Sequence, residues 1–281
     1  MFAHDFVRNA YLAGTFIALA CGVTGWFVVL RGQVFAGDAL SHVAFVGAIA
    51  AAVLGLDQRV GLFALTLLLA GGMAALGRRA QPDDVVIGTV FAWILGIGLL
   101  FITLLSSSAA GGSGKTLPNA LFGSPFELSG SAARLAAEIA IAVVVIVLTG
   151  FRPLLFSTLH PELATARGIP VRALGVAFLL LLAVVTAEST QAVGALLLLG
   201  LLAAPAGAAH KLTARPVAGV ALSGLIAVAA MWGGLALSYA VSWPPSSAVI
   251  MLAATAYIAA SALARMRRRV ALAERLAAAV G

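Results

Sequence analysis

Long apolar windows, separated by short charged or glycine- and proline-rich breaks, run along nearly the whole sequence. Residues 85–105 contain no charged side chain, and about 20 such residues cross the roughly 30 Å hydrocarbon core of a bilayer as a helix. Together with this one, the sequence contains nine such windows: residues 10–30, 39–56, 60–76, 85–105, 135–151, 173–187, 193–209, 217–241 and 247–264. This pattern predicts an all-α, polytopic membrane protein of eight or nine transmembrane helices, with one membrane domain over residues 1–281.

Composition supports this interpretation. Hydrophobic residues make up 62% of the chain and charged residues 10%, against about 25% charged residues in soluble domains. The first window ends at Arg31 without a small-residue cleavage site, so we expect a retained helix rather than a signal peptide. Cys21 is the single cysteine, which excludes an intramolecular disulfide. The net charge of +7 concerns membrane orientation more than nucleic acid, and we expect no nucleic-acid partner.

The positions of the cations predict the orientation. With a cytoplasmic C-terminal segment, the inward loops hold thirteen of the 17 Lys and Arg residues. They are Arg31, Arg78, Arg79, Arg152, Arg167, Arg172, Lys211, Arg215, Arg265, Arg267, Arg268, Arg269 and Arg275; Arg8, Arg59, Lys115 and Arg134 remain outside. The N terminus is then outside. A re-entrant second or third window would instead leave eight crossings and an inward N terminus.

One loop superficially suggests nucleotide binding. Residues 111–116, GGSGKT, end like a phosphate-binding loop, but Ala109 occupies the first glycine position and the preceding segment is a predicted membrane span. On the predicted topology the loop also faces away from cytoplasmic ATP. We interpret it as a flexible linker.

The strongest candidates for chemistry are Asp38 and His42, four residues apart and hence on one face of a helix, about 6 Å apart along its axis. Carboxylate and imidazole together suit Zn²⁺, Mn²⁺ or Fe²⁺. The alternative is that Asp38 caps a helix after Gly37 and His42 is an interfacial polar residue. Ionisable groups inside membrane segments are costly and usually mark a transport route, which favours ligation.

Four ordered motifs carry a resemblance to a known family: GDALSHVAFVGAIAA, ALFGSPFELS, HPELATARGIPVRAL and VGALLLLGLLAAPAGAA. The chain resembles the metal-ion ABC-3 family of permeases, the membrane subunits of zinc, manganese and iron importers. The resemblance implies a type II ABC importer-like permease in the bacterial plasma membrane. It also implies that Asp38 and His42 contact the metal ion transiently in the translocation pathway.

The same resemblance implies that residues 152–172 form the cytoplasmic coupling segment, with His160, Glu162, Arg167 and Gly168 on the surface that meets the ATPase. Relatives often have Asp at the position of His160. The implied partners are two copies of an ATP-binding cassette ATPase, an extracytoplasmic metal-binding protein, a second copy of this chain and the lipid bilayer. ATP hydrolysis is expected on the separate ATPase, and no cofactor is expected to stay bound; the metal ion is substrate.

Several further positions carry weaker expectations. Glu188 is the charged residue in the polar break of residues 173–209, and we favour a residue at a turn between two spans over an outer-side cation contact. The next window contains helix-weakening residues that predict either an irregular helix or close helix packing: Gly194, Gly200, Pro205 and Gly207. His210 is expected at the surface. Where relatives show D-x-P-x-G, Trp243 and Ser247 replace the Asp and the Gly.

Other functions compete with the importer. A siderophore or cobalamin-type ABC permease has a related architecture but would not require Asp38 and His42. A secondary metal transporter could use the same pair without an ATPase, and residues 152–172 would then be dispensable. A membrane-embedded enzyme has little support, because no catalytic constellation falls on a shared face.

Overall fold

The computed structural model describes residues 5–77, 84–107, 123, 125–195, 198–241 and 243–280. Every regular element in these ranges is helical, as predicted. The α-helices are α1 Asp5–Leu30, α2 Val34–Val53, α3 Gln58–Leu76, α4 Asp84–Ser107, α5 Gly130–Thr149, α6 Phe151–Leu159, α7 Pro161–Ala166, α8 Val171–Val193, α9 Leu198–Leu212, α10 Pro216–Val241 and α11 Pro245–Val280. One 3₁₀ turn covers Pro125–Glu127. The glycine-rich loop at residues 111–116 lies outside the described residues.

Each of the nine apolar windows coincides with a helix. Within the described ranges, eight helices are long and apolar enough to cross a membrane, and the ninth, α9, has 15 residues. The second and third windows form helices of 20 and 19 residues that pack along each other. Both are therefore long enough for a full crossing, whereas the 15 residues of α9 fall short of the about 20 that a full crossing needs.

Several helix bounds differ from the predicted windows, and two of these differences bear on the site. Helix α2 begins at Val34 rather than residue 39, because Gly37 continues the helix instead of ending a loop. Helix α8 continues to Val193, six residues beyond the predicted end. Its polar residues Glu188, Ser189 and Thr190 are buried inside the bundle, where other side chains contact them, so they do not form an exposed turn.

Helix α1 occupies the centre of the bundle and packs against α5, α8, α9 and α10. Small residues make this possible, since close helix approach in a membrane requires small side chains at the contact. At Gly25 an added Cβ atom would collide with the backbone carbonyl of Leu202 on α9. Helix α4, by contrast, exposes Trp93, Leu99 and Leu100, as expected of a helix whose outer face meets hydrocarbon rather than water.

Candidate functional site

Asp38 and His42 both lie in α2, one turn apart on the same face, and both side chains are half-buried. Asp38 is the fifth residue of the helix, and the residue at its N-cap is Gln33, whose side chain makes no capping hydrogen bond. The capping alternative for Asp38 is therefore wrong. The two side chains point from a regular helix into the same region, as the spacing predicts.

The imidazole of His42 is held in one orientation. Its Nδ1 lies 3.1 Å from the backbone carbonyl oxygen of Asp38, and its ring meets Phe91 edge-on with centroids 5.1 Å apart. A carbonyl oxygen only accepts hydrogen bonds, so Nδ1–H is the donor in this contact. In the neutral ring this leaves the lone pair on Nε2, which is the form of imidazole that binds a metal ion.

The carboxylate of Asp38 is available as well. Among the described residues, no hydrogen-bond or ion-pair partner of this carboxylate is found. In the same part of the chain, no three His, Cys, Asp or Glu side chains are close enough together to hold a metal ion. Closed structural zinc sites use four protein ligands. Two ligands suit an ion that keeps part of its hydration shell and passes through.

A break in the backbone lies beside this pair. Helix α8 ends at Gly194, whose φ of 87° is one that residues with a side chain rarely adopt. The hydroxyl of Ser41, the neighbour of His42, lies 3.0 Å from the carbonyl oxygen of Ala195. Ala195 is fully buried in one cluster with Ile94, which is about halfway along α4. Irregular backbone at such depth is tolerated where protein or a cavity satisfies its polar groups.

Glu188 forms a buried ion pair, whereas we expected a residue at a turn between two spans. It lies within α8, and its Oε1 accepts a hydrogen bond of 3.0 Å from Arg59, at the first turn of α3. The Glu188 side chain is 4% exposed and the Arg59 side chain 24% exposed. The interpretation of Glu188 as a turn residue is therefore wrong. The ion pair joins α3 to α8 on the side of the bundle that the charge distribution places outside.

The predicted coupling segment forms two short helices, α6 and α7, with His160 between them. Gly168 ends α7, as expected: its φ is 77°, and the Ile169 N–H donates to the Ala164 carbonyl at 3.0 Å, which is the usual glycine-terminated end of a helix. Phe156 of α6 contacts Arg167, which follows α7: the guanidinium lies 5.2 Å from the ring centroid. His160, Glu162 and Arg167 are exposed.

Arg31 connects this segment to the helix that carries Asp38 and His42. Its Nε donates to Thr158 Oγ1 of α6 at 3.2 Å, and its guanidinium lies 4.7 Å from the ring centroid of Phe178 on α8. Burial lowers the pKa of the Arg31 guanidinium to about 10, so the group remains cationic at neutral pH. The sequence indicated Arg31 only as a positive charge between two spans. Its partners lie far away in the chain and carry no motif.

His210 is not a surface residue, contrary to expectation. It is half-buried, its ring stacks on that of Trp26 with centroids 4.8 Å apart, and its Nε2 lies 3.1 Å from the Trp26 carbonyl oxygen. This contact joins residues 184 positions apart, so it could not be read from residue spacing. His210 thus joins α9 to α1, and it belongs to no group of three potential metal ligands in the described part of the chain.

The ABC 3 transport family profile matches residues 3–264. The manganese transport system membrane protein MntC of Halalkalibacterium halodurans is 29% identical over 259 residues, covering 92% of this chain and 87% of that protein. The manganese import system permease protein ScaB of Streptococcus gordonii is 26% identical over 268 residues, covering 94% of each. The structure of PsaBC from Streptococcus pneumoniae in complex with Fab superposes with a TM-score of 0.80 at 25% identity, covering 92% of this chain and 91% of that chain.

Proposed function

The chain belongs to the ABC 3 transport family, and from this premise we propose that it is the membrane-spanning subunit of an ATP-driven importer of divalent transition-metal ions. Mn²⁺ is the first candidate, because two relatives that match over most of their length are named as manganese transport proteins. The chain is a multi-pass bacterial membrane protein. The family supports an ATP-driven permease over the secondary transporter.

One observation carries the proposal. The carboxylate of Asp38, which has no partner among the described residues, and the Nε2 of His42 lie on one face of a membrane helix, beside the backbone break at Gly194. Together they replace part of the hydration shell of a passing cation. Two protein ligands bind an ion firmly enough to admit it and weakly enough to release it. Carboxylate with imidazole accepts Mn²⁺, Fe²⁺ and Zn²⁺, so geometry and availability select among these ions.

We propose that α6 and α7 dock on a separate ATP-binding cassette ATPase. Leu163 supports this role, since its apolar side chain is 57% exposed on a helix that carries charged neighbours and lies on the inward side. His160, Glu162 and Arg167 surround it and supply polar contacts. Gly168 keeps α7 short and turns the chain back toward α8.

Arg31 links the docking segment, α6 and α7, to the helix that carries Asp38 and His42. A movement of α6 displaces Thr158, whose hydroxyl holds Arg31, and Arg31 is followed by the N-cap of α2. Because α2 is one regular helix from Val34 to Val53, a tilt at its inner end moves Asp38 and His42 together. Closure of the ATPase pair would thereby change access to the ion.

The family supports the remaining proposed partners. We propose that two copies of this chain form the pathway, that two ATPase subunits dock below, and that an extracytoplasmic binding protein delivers the ion. The Arg59–Glu188 pair then ties α3 to α8 near the outer entrance. In this arrangement Glu188 is a structural partner of Arg59 rather than a free contact for an arriving cation.

The test of the proposed function is transport in vesicles that contain the chain and its ATPase, with the metal-binding protein supplied on the extracytoplasmic side. We expect Mn²⁺ uptake to require ATP. Leu163→Asp should weaken ATPase binding by at least about tenfold, because it places a charge where an apolar side chain is buried in the complex. Co-purification of the ATPase and uptake are the two measurements.

Ala214→Asp is the matched control, since it adds the same charge to an exposed position in the neighbouring inward connection. It should leave ATPase binding intact. Full-rate uptake by the chain alone, without ATPase or ATP, would overturn the proposed function. Normal ATPase binding by Leu163→Asp would overturn the assignment of the docking surface.

Arg31→Gln tests the route from α6 to α2. We expect ATP-driven uptake to fall by about fivefold or more, the range of a typical coupling energy, while the ATPase still binds. Arg215→Gln removes an equal charge from an exposed inward position and should change neither quantity. Unchanged uptake by Arg31→Gln would exclude Arg31 from the route.

A further inference from the structure

We propose that the cavity between the inner ends of α9 and α11 binds the phosphate of an anionic phospholipid headgroup. The cavity has a volume of about 140 Å³ and is lined by Lys211, Tyr257, Ser261, Ala264 and Arg265. None of these residues belongs to the metal pair or to the docking segment. The proposal therefore does not depend on which cation is carried.

Helix geometry explains how the cavity is built. Residues 257, 261 and 265 of α11 are four apart and share one face. The Tyr257 ring packs so closely on Gly207 of α9 that an added Cβ atom there would lie 2.9 Å from Tyr257 Cε2. Lys211 follows Gly207 by one turn of α9. The helices thus touch at Tyr257 and leave a pocket one turn further inward, between Lys211 and Arg265.

In the described part of the chain, no carboxylate pairs with the two cations of this pocket. The ion pairs recorded in the described part of the chain are Arg8–Asp5 and Arg59–Glu188, so neither Lys211 nor Arg265 has a carboxylate partner there. The Oγ of Ser261 is buried and has no hydrogen-bond partner among the described residues. Buried hydroxyl groups are normally hydrogen-bonded. The oxygens of one phosphate group can accept hydrogen bonds from a hydroxyl, an ammonium and a guanidinium at once.

A simpler role exists for Lys211 alone. It lies in the last turn of α9, where a cation is favoured by the helix dipole. That role explains neither the position of Arg265 on the facing helix nor the unpaired hydroxyl of Ser261. All three observations are accounted for by one bound phosphate.

The depth of the pocket identifies the source of the phosphate. Arg265 lies near the end of the candidate span Pro245–Arg267, and Lys211 is the penultimate residue of α9. Both are therefore at the inner headgroup level, where anionic lipids are attracted by clustered cations. Free inorganic phosphate offers the same oxygens but has no acyl chains to hold it there. The lipid is therefore the source that we propose.

The experiment titrates the delipidated full chain with phosphatidylglycerol or phosphatidylcholine and counts retained lipids by native mass spectrometry. We expect tighter binding of phosphatidylglycerol. Loss of each cation should weaken it about fivefold, and the double variant Lys211→Gln with Arg265→Gln about 25-fold. Ser261→Ala removes one hydroxyl and should weaken phosphatidylglycerol binding by about tenfold.

The matched control is Arg267→Gln with Arg269→Gln, which removes the same charge from exposed positions outside the cavity. An equal loss in this control would indicate diffuse attraction and overturn the site. Equal binding of both lipids would also overturn it. If millimolar inorganic phosphate displaces phosphatidylglycerol from the wild-type chain, the lipid source is wrong. Should the double variant unfold, Ser261→Ala decides the question, because it leaves both cations in place.

Discussion

Replacing Asp38 by Asn, or His42 by Gln, should reduce ATP-driven Mn²⁺ uptake by at least about tenfold. The expected size follows from metal sites in general, where even loss of a residue that only supports a ligand costs about 10- to 100-fold. Asn keeps the shape of Asp38 but removes its negative charge. Gln at position 42 removes the imidazole nitrogen that the contact with the Asp38 carbonyl leaves free. Uptake is measured at equal amounts of protein in the membrane.

Asp5→Asn provides the control for Asp38→Asn. Asp5 pairs with Arg8 in the first turn of α1, and both side chains are largely exposed, so its loss is expected to have little effect. The thermal unfolding midpoint of each variant separates a transport defect from a folding defect. Wild-type uptake of Mn²⁺, Fe²⁺ and Zn²⁺ in both the Asp38 and the His42 variants would eliminate the proposed metal pair.

Arg59→Met should destabilise the protein by about 3 kcal/mol or more, because it leaves the Glu188 carboxylate buried without its cation. Glu188 is 4% exposed, and its Oε2 already has no hydrogen-bond partner in the described structure. Glu188→Gln should cost less, since the partner that it leaves, Arg59, is the more exposed of the two. Thermal and chemical unfolding of the purified chain measures both effects.

The double variant Arg59→Met with Glu188→Gln should be more stable than Arg59→Met alone, because it removes the uncompensated buried charge. The difference between the double variant and the sum of the single variants gives the coupling of the pair. If the two single variants and the double variant all unfold like the wild type, the pair does not hold α3 to α8. Arg134→Met, at an exposed outward position on α5, is the control for loss of an arginine.

The sequence predicted the helices well because a membrane leaves few alternatives. Backbone groups in hydrocarbon must be satisfied within the segment, so an apolar window of sufficient length becomes a helix. The boundaries near Gly37 and Glu188 were wrong for one reason. In the sequence, Gly37 and Glu188 both indicate a break between helices. In the structure, a neighbouring helix packs against Gly37 and Arg59 pairs with Glu188, so both residues lie within helices.

The candidate site was predictable only where its parts are close in sequence. The four-residue spacing placed Asp38 and His42 on one face, and Gly168 marked the end of α7. The contacts that orient these parts join distant segments: Arg31 meets Thr158, 127 residues away, and Arg59 meets Glu188, 129 residues away. The periodicity of the sequence does not predict such contacts, because each contact depends on how whole helices pack.

The sequence by itself determined that this chain is a helical membrane protein, which side its cations favour, and which two ligand side chains share a turn. These properties depend on hydrophobicity and on the 3.6-residue period, both of which act locally. The tertiary structure alone decided that the break lies at Gly194 beside Ser41, that Glu188 pairs with Arg59, and that Lys211 faces Arg265 across a cavity. Those results depend on the packing of α8, α9 and α11 against their neighbours, and packing is a property of the assembled bundle.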